Sequence, residues 1–211
     1  MKLILHGLTL AFSISLAFAA DKAKPVSLFD GKTFNGWEGD TQKTWRIVDG
    51  AIVGGTLSER VPRNEFVATK RSYTNFVLRL KFKLVGTEGF VNGGVQIRSQ
   101  RATNPPNEMI GYQADIGDGW WGALYDETRR NKVLTKPEAG VVEKILKRND
   151  WNDYEIRCEG KRIRLSINGQ QTIDYMEPDN SIPQHGLLGL QVHGGGKTEI
   201  SYKDITIEEL L

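Results

Sequence analysis

Three short stretches decide the fold: VQIR (residues 95–98), YQADI (residues 112–116) and LGLQVH (residues 188–193). In each, apolar residues alternate with polar ones or glycine, the period-2 pattern of a β-strand with one face in a core. We expect the three strands to be neighbours in one sheet. The other face then carries side chains that can donate, accept and exchange protons: Gln96, Arg98, Gln113, Asp115, Gln191 and His193. We call this predicted surface the polar floor, and it is the candidate active site.

Short alternating segments separated by turns continue through the rest of the chain. The clearest is FVLRLKFKL (residues 76–84), whose outer face is cationic and typical of a solvated convex surface. Asp49-Gly50 and Asn168-Gly169 are strong hairpin turns, and 23 glycines indicate many more turns. Ten or more short strands, without a convincing long amphipathic helix, predict an all-β fold, an antiparallel β-sandwich.

The first twenty residues have the features of a secretory signal peptide. Lys2 is followed by a largely apolar run over residues 3–16 and by the cleavage signature Ala17-Phe18-Ala19. The run is shorter than the about 20 apolar residues that a membrane span needs. We therefore expect a signal peptide at residues 1–20 and a single domain at residues 21–211. We also expect export to the periplasm or the medium, with no membrane span.

Composition and motifs exclude several classes of function. The formal net charge of +2 comes without a long basic run, so we expect no nucleic-acid partner. Cys158 is the only cysteine, which excludes an intramolecular disulfide, and its position in a predicted strand indicates a buried hydrophobe. The sequence has no Gly-x-Ser-x-Gly, no P-loop, no dinucleotide fingerprint and no His-Glu-x-x-His.

His193, Asp115 and Arg98 are the candidate catalytic residues. A histidine titrates near neutral pH and can accept a proton, although His193 could instead be a structural residue bonded to the glycines that follow it. A carboxylate in mid-strand needs a partner, and Arg98 is the obvious one for Asp115. That pair is either a structural ion pair or a device that orients a substrate. Alternatively, Asp115 and His193 could help to hold a divalent metal ion, so the cofactor stays undetermined.

Other side chains suit the binding of a sugar. Trp121 and Tyr125 lie with Trp120 in a Gly-rich loop, and flat aromatics at a rim pack on sugar rings, although one of the two tryptophans should pack over the core edge. Amides suit sugar hydroxyls, and Glu65 could supply a second carboxylate. The candidate substrate-binding residues are Gln96, Gln113, Gln191, Trp121, Tyr125 and Glu65. The segment QADIGD (residues 113–118) has an amide where sandwich glucanases carry a leading carboxylate, which argues against hydrolysis by a carboxylate pair.

The order of several motifs resembles the 3-keto-disaccharide hydrolase family. SLFDGKTFNGW (residues 27–37) is similar to the family's opening, and the similarity extends over roughly residues 26–210. The other matching motifs are WRIVDG (45–50), YTNFVL (73–78), GALY (122–125), WN (151–152) and GLQVHG (189–194). The chain departs from the family at Asn92-Gly93-Gly94, usually Asn-Ser-Gly, and near Tyr112-Gln113, where many members carry a Glu.

The resemblance implies a concanavalin A-like jelly roll, export from bacterial cells and cleavage of 3-keto-glycosides. In that chemistry a base removes the C2 proton beside the C3 ketone, and the group at C1 is then eliminated. It implies a small-molecule or oligosaccharide substrate. His193 would then be the base or a ligand, Arg98 with Gln96 would donate to the enolate or to hydroxyls, and Asp115 would orient the substrate or bind a metal. The alternative is a non-catalytic carbohydrate-binding, lectin-like module on the same sandwich.

Overall fold

The computed structural model describes residues 24–210. The predicted signal peptide, residues 1–20, lies outside the described residues. Residues 24–210 contain no helix, and therefore none with the length and apolar character needed to cross a membrane. All named strands pair antiparallel, which confirms the predicted all-β class.

Fifteen strands form the two sheets. Their bounds are β1 Val26–Ser27, β2 Trp37–Glu38, β3 Trp45–Val48, β4 Ala51–Thr56, β5 Glu65–Thr69, β6 Phe76–Gly89, β7 Asn92–Arg101, β8 Met109–Gly117, β9 Leu124–Glu127, β10 Lys132–Thr135, β11 Asn152–Glu159, β12 Arg162–Ile167, β13 Gln170–Met176, β14 Leu187–Val192 and β15 Gly196–Glu209. One sheet has the order β13-β12-β11-β6-β15-β4-β3, with β1 added beside β15. The other has seven strands in the order β10-β9-β8-β7-β14-β5-β2.

Both predicted hairpin turns are present. Asp49 and Gly50 join β3 to β4 with φ angles of 50° and 73°. Asn168 and Gly169 join β12 to β13 with φ angles of 49° and 82°. Two consecutive residues at positive φ give the turn a twist that matches the flanking strands, which explains the Asp-Gly and Asn-Gly pairs.

The core lies between the two sheets and consists of the apolar positions of the alternating strands. Val95, Ile97 and Ala114 of the seven-stranded sheet and Phe82 and Tyr154 of the other belong to one buried cluster. Cys158 is also buried in it and unpaired, as predicted. The apolar residues of β7, β8 and β14 face the core. The residues that alternate with them therefore lie on the outer face of the seven-stranded sheet.

The predicted cationic face of β6 is an ion-paired surface. Arg79 lies 2.7 Å from Glu155 and 3.3 Å from Glu208, and Lys81 pairs with Asp153. The segment after Arg129 contains a short strand, β10, at the edge of the seven-stranded sheet. Its four residues carry no clean alternation, since the strand is half-exposed and pairs on one side only.

Candidate functional site

Four of the six residues of the predicted polar floor lie side by side on the outer face of the seven-stranded sheet. Gln113 pairs in register with Gln96, and in the next same-face row Asp115 and Gln191 flank Gly94. None of these four residues is more than 3% exposed. Gly94 permits this crowding, because a Cβ atom there would lie 2.8 Å from Cγ of Gln113. The sheet therefore carries a buried polar surface where a solvated one would be usual.

A chain of side-chain hydrogen bonds crosses this surface. The Ser99 hydroxyl donates to Gln96 Oε1 at 2.6 Å, and Gln96 Nε2 donates to Gln113 Oε1 at 2.8 Å. Gln113 Nε2 then donates to Asp115 Oδ1 at 2.9 Å. The chain satisfies both amides and one oxygen of the carboxyl group. We call it the amide relay.

The surroundings of Asp115 favour its neutral form. Burial raises its pKa well above the usual value, and the negative charge of Glu127 raises it further, while the Gln113 hydrogen bond opposes the shift. Oδ2 of Asp115 is buried and has no hydrogen-bond partner. A neutral carboxyl group carries its proton on one oxygen, and Oδ2 is the oxygen that accepts no hydrogen bond.

Glu127 also belongs to the site, although the sequence analysis did not select it. Its Oε2 lies 3.5 Å from Nε2 of Gln191, whose Oε1 is buried and unpartnered. Burial, with the charge of Glu108, raises the pKa of Glu127 to about 7. A carboxyl group with this pKa can both release and accept a proton at neutral pH. One feature of the sequence could have indicated Glu127. It lies two residues after the predicted sugar-binding residue Tyr125, so both side chains lie on the same face of β9.

His193 follows β14 at the same end of the sheet as Asn92. Its Nδ1 lies 2.7 Å from the carbonyl oxygen of Gly194, and its ring meets the edge of Phe90 with 4.6 Å between centroids. Because a carbonyl only accepts, Nδ1 carries a hydrogen and Nε2 of the neutral ring keeps its lone pair. Burial lowers the pKa of His193, so the imidazole is neutral at pH 7. The hydrogen bond to Gly194, which on its own would be a structural role for His193, thus also fixes the tautomer in which Nε2 can accept a proton.

These groups line one cavity of about 200 Å³. Its wall combines three ionisable side chains with aromatic rings and amides: Phe90, Asn92, Gln113, Asp115, Trp120, Tyr125, Glu127 and His193. Trp120 and Tyr125 meet edge to face, with ring centroids 5.8 Å apart. The cavity is small and polar at its base, with flat apolar surfaces at its side.

Arg98 does not pair with Asp115, contrary to the prediction. The register of β7 and β8 shifts between Ile97 and Gln100, and Arg98 has a φ of 49°. This bulge breaks the alternation and turns the side chain away from the floor. Its guanidinium instead donates to four oxygens at 2.6 to 3.2 Å: those of Thr74 and Gly160 in the backbone and of Asn75 and Gln184 in side chains.

Four of the six predicted substrate-binding residues do not line the cavity: Gln96, Gln191, Trp121 and Glu65. Trp121 stacks on Phe82, with centroids 6.4 Å apart and planes at 23°, and donates to Asp118. It is therefore the tryptophan at the core edge, and Trp120 is the one at the cavity. Glu65 pairs with Arg63 at 2.8 Å, and its register with Val192 places it on the inward face of the sheet.

A metal ion held by Asp115 and His193 would need further ligands close to them. Within residues 24–210, no three His, Cys, Asp or Glu side chains are grouped so that they could hold a metal ion. The amide relay and the Gly194 bond already engage one donor atom each of Asp115 and His193.

Residues 24–208 match the 3-keto-alpha-glucoside-1,2-lyase-like domain. The chain belongs to this family. The 3-keto-alpha-glucoside-1,2-lyase-like domain thus covers nearly all described residues, and the resemblance seen in the sequence motifs is confirmed. No curated protein matches the chain.

Solved structures share the fold of this 3-keto-alpha-glucoside-1,2-lyase-like chain at low identity. A candidate glycosyl hydrolase from Parabacteroides distasonis is 21% identical with a TM-score of 0.67, over 89% of this chain and 94% of that one. A carbohydrate-binding module, CBM66 from Bacillus subtilis, is 17% identical with a TM-score of 0.64, over 82% and 96%. A legume lectin-like domain from Entamoeba histolytica is 13% identical with a TM-score of 0.58, over 88% and 97%. The predicted jelly-roll, concanavalin A-like fold is confirmed.

The family and the fold together indicate a carbohydrate-active protein, of either the glycosyl hydrolase-like or the carbohydrate-binding kind.

Proposed function

We propose that this protein cleaves 3-keto-glycosides at the cavity of Asp115, Glu127 and His193, by removal of the C2 proton and elimination at C1. One observation carries the proposal. One small cavity beside Trp120 is lined by a carboxyl group whose pKa is raised by burial, a second with a pKa of about 7, and a neutral imidazole. A protein that only binds sugars has no need for three groups poised to transfer protons.

A ketone at C3 makes this chemistry accessible without a pair of ionised carboxylates. The ketone acidifies the hydrogen at C2, and loss of that proton gives an enolate with its charge on the C3 oxygen. The enolate re-forms the ketone as the C1–O bond breaks, so a C1=C2 double bond remains and the leaving oxygen takes up a proton. Water adding at C1 gives net hydrolysis. The reaction needs a base, a donor to the enolate oxygen and a donor to the leaving oxygen.

The three ionisable residues supply these roles. Nε2 of His193 accepts the C2 proton, because Nδ1 is occupied by Gly194. Asp115, as a neutral acid, donates from Oδ2 to the enolate oxygen, where a preorganised donor has its largest effect. Glu127 in its protonated form donates to the leaving oxygen. Arg98 has no part in this scheme, since its guanidinium is engaged elsewhere.

The size and wall of the cavity favour a sugar ring as the group held at its base. A volume of about 200 Å³ is below the roughly 300 Å³ at which drug-sized ligand pockets begin. We therefore infer that the oxidised ring occupies the cavity while the leaving sugar lies outside it. Trp120 and Tyr125 offer apolar surface to the ring, and the amides Asn92 and Gln113 offer partners to its hydroxyls.

We further propose that the protein is exported, to the periplasm or the medium. The charged start, the apolar run of residues 3–16 and the Ala-x-Ala signature support this. The test is expression of the full chain in a bacterial host, followed by N-terminal sequencing of the protein found outside the cytoplasm. Sequencing should begin near Ala20 or Asp21.

The test of the activity compares an oxidised disaccharide with its parent. The purified protein is incubated with 3-keto-trehalose or with trehalose, each with and without a chelator, and released glucose is measured. We expect glucose from the keto-sugar only. The chelator arms show whether a divalent ion takes part. Saturable binding of 3-keto-trehalose without release of glucose, under every metal condition, would show a binding module instead.

A further inference from the structure

We propose that Ser99 is a positioning residue, whose hydroxyl sets the direction of the amide relay and so leaves Oδ2 of Asp115, rather than Oδ1, to carry the proton. The inference rests on the proposed function, in which Asp115 donates to the enolate oxygen. Ser99 itself is 2% exposed and lies behind Gln96 and Gln113, so it does not line the cavity.

The geometry at Ser99 determines the direction of the relay. Its Oγ lies 2.6 Å from Gln96 Oε1, 3.0 Å from the carbonyl of Ile97 and 3.4 Å from the carbonyl of Tyr112. A separation of 2.6 Å is typical of O–H···O and shorter than usual for N–H···O. The oxygen of the Gln96 amide therefore faces Ser99, and its NH2 group faces the next residue of the relay.

The direction passes from one amide to the next because each amide has one donor end and one acceptor end. Once the Gln96 NH2 group points at Gln113, Oε1 of Gln113 must accept, and the NH2 group of Gln113 must point at Asp115. Oδ1 of Asp115 then accepts a hydrogen bond, so a proton on this carboxyl group resides on Oδ2.

The opposite direction would have a different chemical result. If Gln113 turned its oxygen towards Asp115, the acid would donate its proton to that amide. Oδ2 would then be an acceptor, and no donor would face the enolate oxygen. Ser99, which never touches the substrate, therefore decides where the proton of Asp115 is directed.

Ser99→Ala removes the donor and tests the inference with two readouts. The first is the infrared C=O stretch of the neutral Asp115 carboxyl group, identified by its loss in Asp115→Asn. It should move to higher frequency when the Gln113 donor is lost or turned. The second is turnover of 3-keto-trehalose, where kcat should fall about 10-fold to 100-fold with KM within about 2-fold, because a misdirected group slows the chemical step.

Ser201→Ala is the matched control, since Ser201 is another buried serine, in β15 of the other sheet. It should change neither readout. Gln96→Met, which keeps the length of the side chain and breaks the relay at its middle, replaces Ser99→Ala if the latter fails to fold. An unchanged Asp115 band with unchanged kcat in the folded variant would overturn the inference. If the wild-type protein cleaves no 3-keto-glycoside but the band still moves, the proposed function fails and the relay stands.

Discussion

Gln191 and Glu127 meet at 3.5 Å although their strands, β14 and β9, are separated in the sheet by β7 and β8. Three strand spacings amount to about 14 Å on a flat sheet. The two side chains therefore reach towards each other across the outer face of the sheet, over Gly94, which has no side chain of its own. Glu127 and Asp115 thereby share one low-dielectric site, where the negative charge of Glu127 adds to burial in raising the pKa of Asp115.

Glu127→Gln should abolish the alkaline limb of the pH profile. The protonated carboxyl group is the proposed donor, so wild-type kcat should fall as the pH rises through about 7. In Glu127→Gln, kcat at pH 6 should be about 100-fold lower and nearly independent of pH from 6 to 8. Steady-state kinetics on 3-keto-trehalose measure this. Retention of the limb at the same pH would show that another group is the donor.

The same substitution should remove a pH dependence of stability. The pKa of Glu127 rises from 4.5 when unfolded to about 7 when folded, so the folded state binds more protons between these values. Stability should accordingly fall as the pH rises from 4.5 to 7, by up to about 3 kcal/mol from this residue. Urea unfolding at pH 4.5 and pH 8 should show a smaller difference in Glu127→Gln than in wild type. An equal change in stability between the two pH values in both proteins would show that other carboxyl groups cause the pH dependence.

Arg98→Met should destabilise the protein without slowing the folded enzyme. The substitution leaves four oxygen acceptors near Thr74 and Gly160 without their donor, which should cost about 3 kcal/mol or more. The free energy of unfolding in urea and kcat at low temperature measure the two effects. Arg162→Met is the control, because the Arg162–Asp174 pair is exposed and contributes little. Loss of kcat with unchanged stability would restore the catalytic role first predicted for Arg98.

The two neighbouring tryptophans should respond differently. Trp120→Ala removes a wall of the cavity and should raise KM up to about 10-fold with little change in kcat. Trp121→Ala removes a ring stacked on Phe82 and should lower stability while KM stays the same. Kinetics and thermal unfolding of both variants separate the effects. A rise in KM confined to Trp121→Ala would reverse the assignment.

The alternation of β7, β8 and β14 is what made Gln96, Gln113, Asp115 and Gln191 predictable as neighbours. A period of two determines the face of each side chain wherever a strand is regular. The same rule misplaced Arg98, because a bulge at residues 97–100 changes the parity and leaves no mark in the local pattern. Bulges depend on the partner strand, which a single strand's sequence does not contain.

Glu127 was missed for a different reason. Its strand is only four residues long and joins β8 through the Trp120–Trp121 loop, so its alternation with Tyr125 is a short signal that does not reveal how far Glu127 is buried. Its shifted pKa arises from burial and from Glu108, a contact made by the fold. The fold class depends on many short repeated signals and is robust to such errors, whereas one site residue depends on a single position.

His193→Gln tests the base. Glutamine can keep a hydrogen bond to the backbone but has no lone pair of comparable basicity, so kcat should fall about 10²-fold to 10⁴-fold while KM changes little. Because burial lowers the pKa of His193, wild-type kcat should fall only at acidic pH, where the imidazole becomes protonated, and this acid limb should disappear in the variant. His185→Gln is the control, since His185 is exposed in the loop before β14 and should leave both kcat and the limb unchanged. If His193→Gln retains full activity on 3-keto-trehalose, the proton at C2 is removed by another group, and the next candidate is the ionised form of Glu127, which lines the same cavity and has a pKa of about 7.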